Sequence, residues 1–140
     1  EHGLVEIGGV PDGQTTPVTI GGKKARVTME NGMAARYMYF NADRAFVFAQ
    51  ETKLRVTVEY FDQGRFEFWL DYDSTDANAD MQGRYKQTQY IRLTDSGVWK
   101  TATFDLPDAY FGGRQNEGAD FRIATHDNDL YINSVTVAKP

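Results

Sequence analysis

The alternation across residues 66–73 (FEFWLDYD) constrains this chain more than any other feature. Side chains on a strand switch faces at every residue. Phe66, Phe68, Leu70 and Tyr72 therefore form one stripe, and Glu67, Trp69, Asp71 and Asp73 form the other. The first stripe belongs to a core. The second places an indole among carboxylates on the face that water should reach. Either that face is open, or a second layer covers Trp69.

The rest of the chain also argues for strands, with helix limited to single turns. Nine Phe, eight Tyr, two Trp and thirteen Gly accompany many short Val/Thr/Tyr/Phe runs separated by turn residues, which predicts an all-β fold. Strands are expected over residues 4–7, 18–20, 25–29, 36–40, 54–61, 66–73, 85–93, 98–106, 119–125 and 130–137. About nine or ten short strands with turns between them match an antiparallel β-sandwich. Helical turns are expected at 41–46, capped by Asn41, and at 107–111. No internal repeat or composition break divides residues 1–140, so a single domain is expected, large enough to bury a core without staples. There are no cysteines to form a disulfide framework or a thiolate metal site.

The net charge of −5, with no basic run, argues against a nucleic-acid partner. No apolar stretch reaches the ~20 residues of a membrane-spanning helix. The chain opens without a signal peptide and reads as a module of something longer.

Strands 54–61 and 66–73 are expected to pair as a hairpin through a three-residue loop, 62–64, with Gly64 as its left-handed residue. That register sets Val58 opposite Phe68, Arg55 opposite Asp71, Thr57 opposite Trp69 and Glu59 opposite Glu67. The last pair brings two carboxylates to ~5 Å between β-carbons, a spacing retaining glycosidases use. A hydrolase also needs a cleft that desolvates one acid, and the usual catalytic signatures are absent. The expectation is a protein that is not an enzyme.

An exposed indole rimmed by hydrogen-bonding groups suits a sugar ring, which has an apolar face and a rim of hydroxyls. The expected carbohydrate-binding residues are Trp69, Glu67, Asp71 and Glu59, with Tyr90 extending the platform and Arg114 donating from a Gly-rich loop. Asp71, Asp73 and Asp76 concentrate hard oxygen ligands where a strand enters a loop, a setting for a structural calcium ion; the alternative is an acidic, solvated loop. Asp127 and Asp129 form a sparser second cluster. Asp120 and Arg122 share a strand face and read as an ion pair or loop anchor. His2 and His126 lack ligand-spaced partners and read as solvated.

The stretches VTVEYFDQGRFEFWLDYDS and YKQTQYIRLTDSGVWKTATFDLPDAYFGGRQNEGADFRIATHDNDLYINSVTV resemble the jelly-roll, galactose-binding-like carbohydrate-binding modules appended to bacterial polysaccharide-degrading enzymes. The resemblance covers residues 54–137, with a looser echo from 4 to 48. It implies a secreted, non-catalytic module that binds a plant or microbial polysaccharide or oligosaccharide, is tethered to a catalytic domain, and holds a structural calcium near a sheet edge. The chain departs from relatives of this type at Asn133, where many have Asp, and near the N-terminus, where only Glu6 matches their acidic residues. The other readings are a structural or protein-interaction sandwich and a small glycan-active enzyme using Glu59 and Glu67.

Overall fold

A computed structural model describes residues 4–140 and shows eleven strands among them. His2 lies outside the described residues. The strands are β1 (Leu4–Ile7), β2 (Thr15–Ile20), β3 (Lys23–Thr28), β4 (Ala35–Ala42), β5 (Thr52–Phe61), β6 (Glu67–Tyr72), β7 (Lys86–Gln87), β8 (Ile91–Arg92), β9 (Trp99–Ala109), β10 (Phe121–His126) and β11 (Tyr131–Ala138). They form two antiparallel sheets. The first runs β1-β4-β10-β6-β7, with β8 also on β6; the second runs β2-β3-β11-β5-β9. The two pack face to face as a jelly-roll sandwich, as expected.

The predicted alternation holds in both central strands, but the predicted hairpin does not. β5 pairs with β9 and β11 in the second sheet, and β6 pairs with β10, β7 and β8 in the first. Their apolar stripes meet across the core rather than side by side: Tyr60 lies edge-on to Phe68 with ring centres 5.0 Å apart. Alternation fixes which face a residue occupies, and two facing sheets satisfy it as well as two neighbouring strands. The crossing is anchored by Asp62 in the loop after β5. Its fully buried carboxylate accepts from the backbone N–H and hydroxyl groups of Thr94 and Ser96 and pairs with Lys100. This ties the β5–β6 loop to the β8–β9 loop, and both pass between the sheets at the same end.

Two local expectations also fail. Residues 107–109 continue β9 instead of forming a helical turn; Pro107 falls beside a register shift on an edge strand, where its missing N–H costs no ladder bond. The turn after β4 is organised by Asp43, not Asn41: the Asp43 side chain accepts from Ala45 N–H and its carbonyl from Phe46 and Val47. Edges are otherwise blunted by Pro17 in β2 and by the break between β7 and β8.

Candidate functional site on the outer face of the first sheet

The outer face of the first sheet carries a layer of aromatic and charged groups. Its rows follow the register. Gln87, Asp71, Arg122 and Tyr39 line up across β7, β6, β10 and β4; Trp69, Ala124 and Tyr37 form the next row; Arg92 faces Glu67 beyond it.

Arg122 is the hub. Its guanidinium lies 3.8 Å from the centre of the Tyr37 ring and 4.2 Å from that of Tyr85. Its Nε donates to Asp71 Oδ2 at 2.7 Å and a terminal nitrogen donates to the Tyr39 hydroxyl at 2.8 Å. Trp69 Nε1 donates to the other oxygen of Asp71 at 3.1 Å. Burial pushes the Asp71 carboxyl above its ordinary range against the pull of Arg122. Burial also raises the Tyr39 phenol, which stays protonated and donates to Asp12. Val10 packs on this layer, and Gly13 lies so close that a Cβ there would fall 2.5 Å from Tyr39 Cδ2.

Trp69 is on the outer face, as parity predicts, but it is not open: only 5% of it is exposed. Tyr90 covers it, with ring centres 4.4 Å apart and planes 10° from parallel, and His126 closes from the side at 5.1 Å. The cause is a one-residue slip between β7 and β8. Asp71 faces Gln87, whereas Glu67 faces Arg92, so one extra residue lies between them. At the slip, Thr88 supplies its hydroxyl to Leu70 N–H while its own N–H donates to Leu70 O. Continuous alternation groups Tyr90 with Lys86, Thr88 and Arg92; the bulge keeps Tyr90 with Arg92 but moves both from the face of Lys86 to that of Gln87, over the indole. Tyr90 itself is 43% exposed. The ring that water meets is therefore the phenol, backed by a buried indole.

The other predicted residues scatter. Glu67 is half-buried, 3.7 Å from Arg92. Asp71 is buried with both oxygens engaged, so it is not a free acceptor. Glu59 belongs to the other sheet, between Thr101 and Ser134, paired with Lys23 at 2.9 Å. It neither joins Trp69 nor faces Glu67, and the expected carboxylate pair does not form. Arg114 is a loop anchor: it pairs with Asp73 at 2.6 Å, donates to Ser74 O and stacks over Tyr110. Asp120 does not pair with Arg122; it accepts from Ala42 and Gly113 N–H.

Asp71, Asp73 and Asp76 turn to three different cations, Arg122, Arg114 and Lys86. Among the described residues no group of three or more His, Asp or Glu side chains converges on a common point. These three carboxylates do not fit a shared calcium cage, because each is already neutralised elsewhere. Arg36 is likewise wedged between Asp127 and Asp129, at 2.9 and 2.7 Å. The hub role of Arg122 escapes sequence reasoning, which sets it on a strand face with Asp120; a cover over Trp69 is one of two readings the alternation leaves open, but its source in Tyr90 and His126 is not foreseen there.

No family model matches the sequence, and no curated protein matches it. Among solved structures the chain is similar to the CBM22-1 xylan-binding domain of Paenibacillus barcinonensis Xyn10C, at 11% identity over 96% of this chain and 84% of that one, with a TM-score of 0.52. It is also similar to the K1 cleaved adhesin domain of Lys-gingipain from Porphyromonas gingivalis W83, at 15% identity over 98% of this chain and 89% of that one, with a TM-score of 0.49. The first likeness agrees with the jelly-roll fold read from the strands.

Proposed function

We propose that this chain is a non-catalytic glycan-binding module whose platform is Tyr90 backed by Trp69. The observation that carries this is the parallel stack in which the inner ring is sealed and the outer ring stays open. Stacking on the indole fixes the phenol plane in advance, so little ordering cost remains when a sugar ring lies on it. Glu67, Arg92, Gln87 and His126 surround the platform and offer acceptors and donors to ring hydroxyls. The ligand class is a polysaccharide or oligosaccharide, in keeping with the xylan named for the structural neighbour. A flat, open platform suits a module whose avidity comes from tethering to a larger secreted enzyme. Catalysis has no support here, because Glu59 and Glu67 lie in different sheets.

Affinity electrophoresis through gels containing soluble xylan, mixed-linkage glucan or mannan tests the proposal. The wild type is retarded in at least one gel and Tyr90→Ala is not. Equal migration of both proteins in every gel rejects it.

A further inference from the structure

Beyond the end of the first sheet lies a polar hollow of about 450 Å³, walled by the β5–β6 and β10–β11 loops. Its size falls within the range of small-ligand sites. It adjoins the platform through the backbone: Glu67 follows Phe66 of the hollow, and His126 precedes Asp127.

The floor is pre-set. Arg36, its side chain 11% exposed, holds Oδ1 of both Asp127 and Asp129. Oδ2 of each aspartate is left without a partner among the described residues. Opposite them, Arg65 and the Gln63 amide also lack side-chain partners among the described residues, and Tyr131 contributes an aromatic wall. Two arginines balance two aspartates, so the hollow has no net charge to favour an anion. A divalent cation is disfavoured as well, since a fixed guanidinium occupies the space between the carboxylates. What remains complementary is a neutral group that donates and accepts at neighbouring points. A vicinal diol does this, one hydroxyl donating to a carboxylate oxygen while accepting from Arg65.

We infer that this hollow is a neutral-sugar subsite continuous with the Tyr90 platform, so that recognition extends past a single ring. The inference rests on the glycan-binding reading. It commits the module to saccharide units without carboxylate or sulfate groups at this position.

The test is amide chemical-shift mapping of the 15N-labelled chain with cellohexaose, xylohexaose and mannohexaose. At least one probe shifts Gly64, Asn128 and Asp129 together with the platform amides. Those hollow shifts persist in Tyr90→Ala at higher probe concentration. Arg65→Ala, an exposed change that removes no hydrogen bond or ion pair among the described residues, weakens binding about tenfold, as loss of one charge-assisted hydrogen bond does. Shifts confined to the surroundings of Trp69, Tyr90 and His126 overturn the subsite and leave the platform standing. Hollow shifts with an affinity unchanged by Arg65→Ala also overturn it. Absence of any shift with all three probes overturns both.

Discussion

Tyr90 lies face to face on Trp69, 4.4 Å between ring centres, although the two residues come from a strand and from the bulged segment beside it. The pair divides labour between stability and binding. Trp69→Ala removes a buried indole and is expected to cost about 3–5 kcal/mol. Tyr90→Ala removes a half-exposed ring and is expected to cost less, about 1–2 kcal/mol of stability. Urea midpoints for the two variants check this, and Tyr90→Phe should keep both stability and most of the binding.

Arg122 and Asp71 form the charged centre of the same face, 2.7 Å apart and both largely out of water. Truncating the cation leaves Asp71 buried beside Trp69 with no counter-charge. Arg122→Ala is therefore expected to destabilise by about 3–5 kcal/mol. Arg122→Met with Asp71→Leu should cost less than the two single changes summed, because neither variant partner is then left charged. A double-mutant cycle by denaturant unfolding measures the difference.

Which residues point inward was legible in the sequence; which strands are neighbours was not. Val56, Val58, Phe68 and Leu70 fall on core stripes, and all four are buried. Yet the same stripes fit a hairpin or two facing sheets, and the choice is made by Asp62, whose partners lie more than thirty residues away. The outer face of β6 was legible for the same parity reason. That Tyr90 supplies its cover was not, because the slip at Thr88 depends on a hydroxyl replacing a carbonyl at one backbone N–H, a substitution that leaves no periodic trace. The acidic loop misled in a different way: carboxylates close in sequence, Asp71, Asp73 and Asp76, each turn to a separate cation, Arg122 and Arg114 from distant segments and Lys86 from the strand that follows the loop.

Asp73 binds Arg114 through one oxygen and the N–H groups of Gly112 and Arg114 through the other. It thereby fastens the 112–118 loop to the end of β6. Asp73→Ala should lower stability by about 2–4 kcal/mol, the cost of stranding several donors at a buried site. Excess chelator should leave the wild-type melting temperature unmoved, since a bound ion would add stability by mass action. A fall on chelation, restored by calcium, would show that a cation is held after all.

Gly83 closes the 75–83 loop with φ +91°, and a Cβ there would meet the Asp76 carbonyl oxygen at 2.6 Å and that of Ser74 at 2.9 Å. Both obstacles are backbone, and the conformation itself disfavours any L side chain. Gly83→Ala is expected to cost at least about 2 kcal/mol. By displacing Ser74, whose N–H and hydroxyl both donate to Gly83 O, it should also speed hydrogen exchange through this loop.

Asp62 sets the acid limit of the fold. Burial alone would raise its carboxyl, but the hydrogen bonds from Ser96, Thr94 and Lys100 outweigh burial and hold it far below the ordinary carboxylate range. A carboxyl whose folded value is depressed contributes stability that is complete above its unfolded value of about 4 and is lost as pH falls below it. Between the two values the loss approaches about 1.4 kcal/mol per pH unit for this one proton. Asp62→Asn removes the titration. At neutral pH it should be less stable than the wild type by about 2–4 kcal/mol, because a neutral amide accepts more weakly and brings N–H groups toward the donors of Thr94 and Ser96. Below pH ~4 the gap should narrow, as the wild type alone loses this contribution. Denaturant midpoints for both proteins across the acid range check it; parallel curves would mean that the charge of Asp62 contributes nothing to the crossing between the sheets.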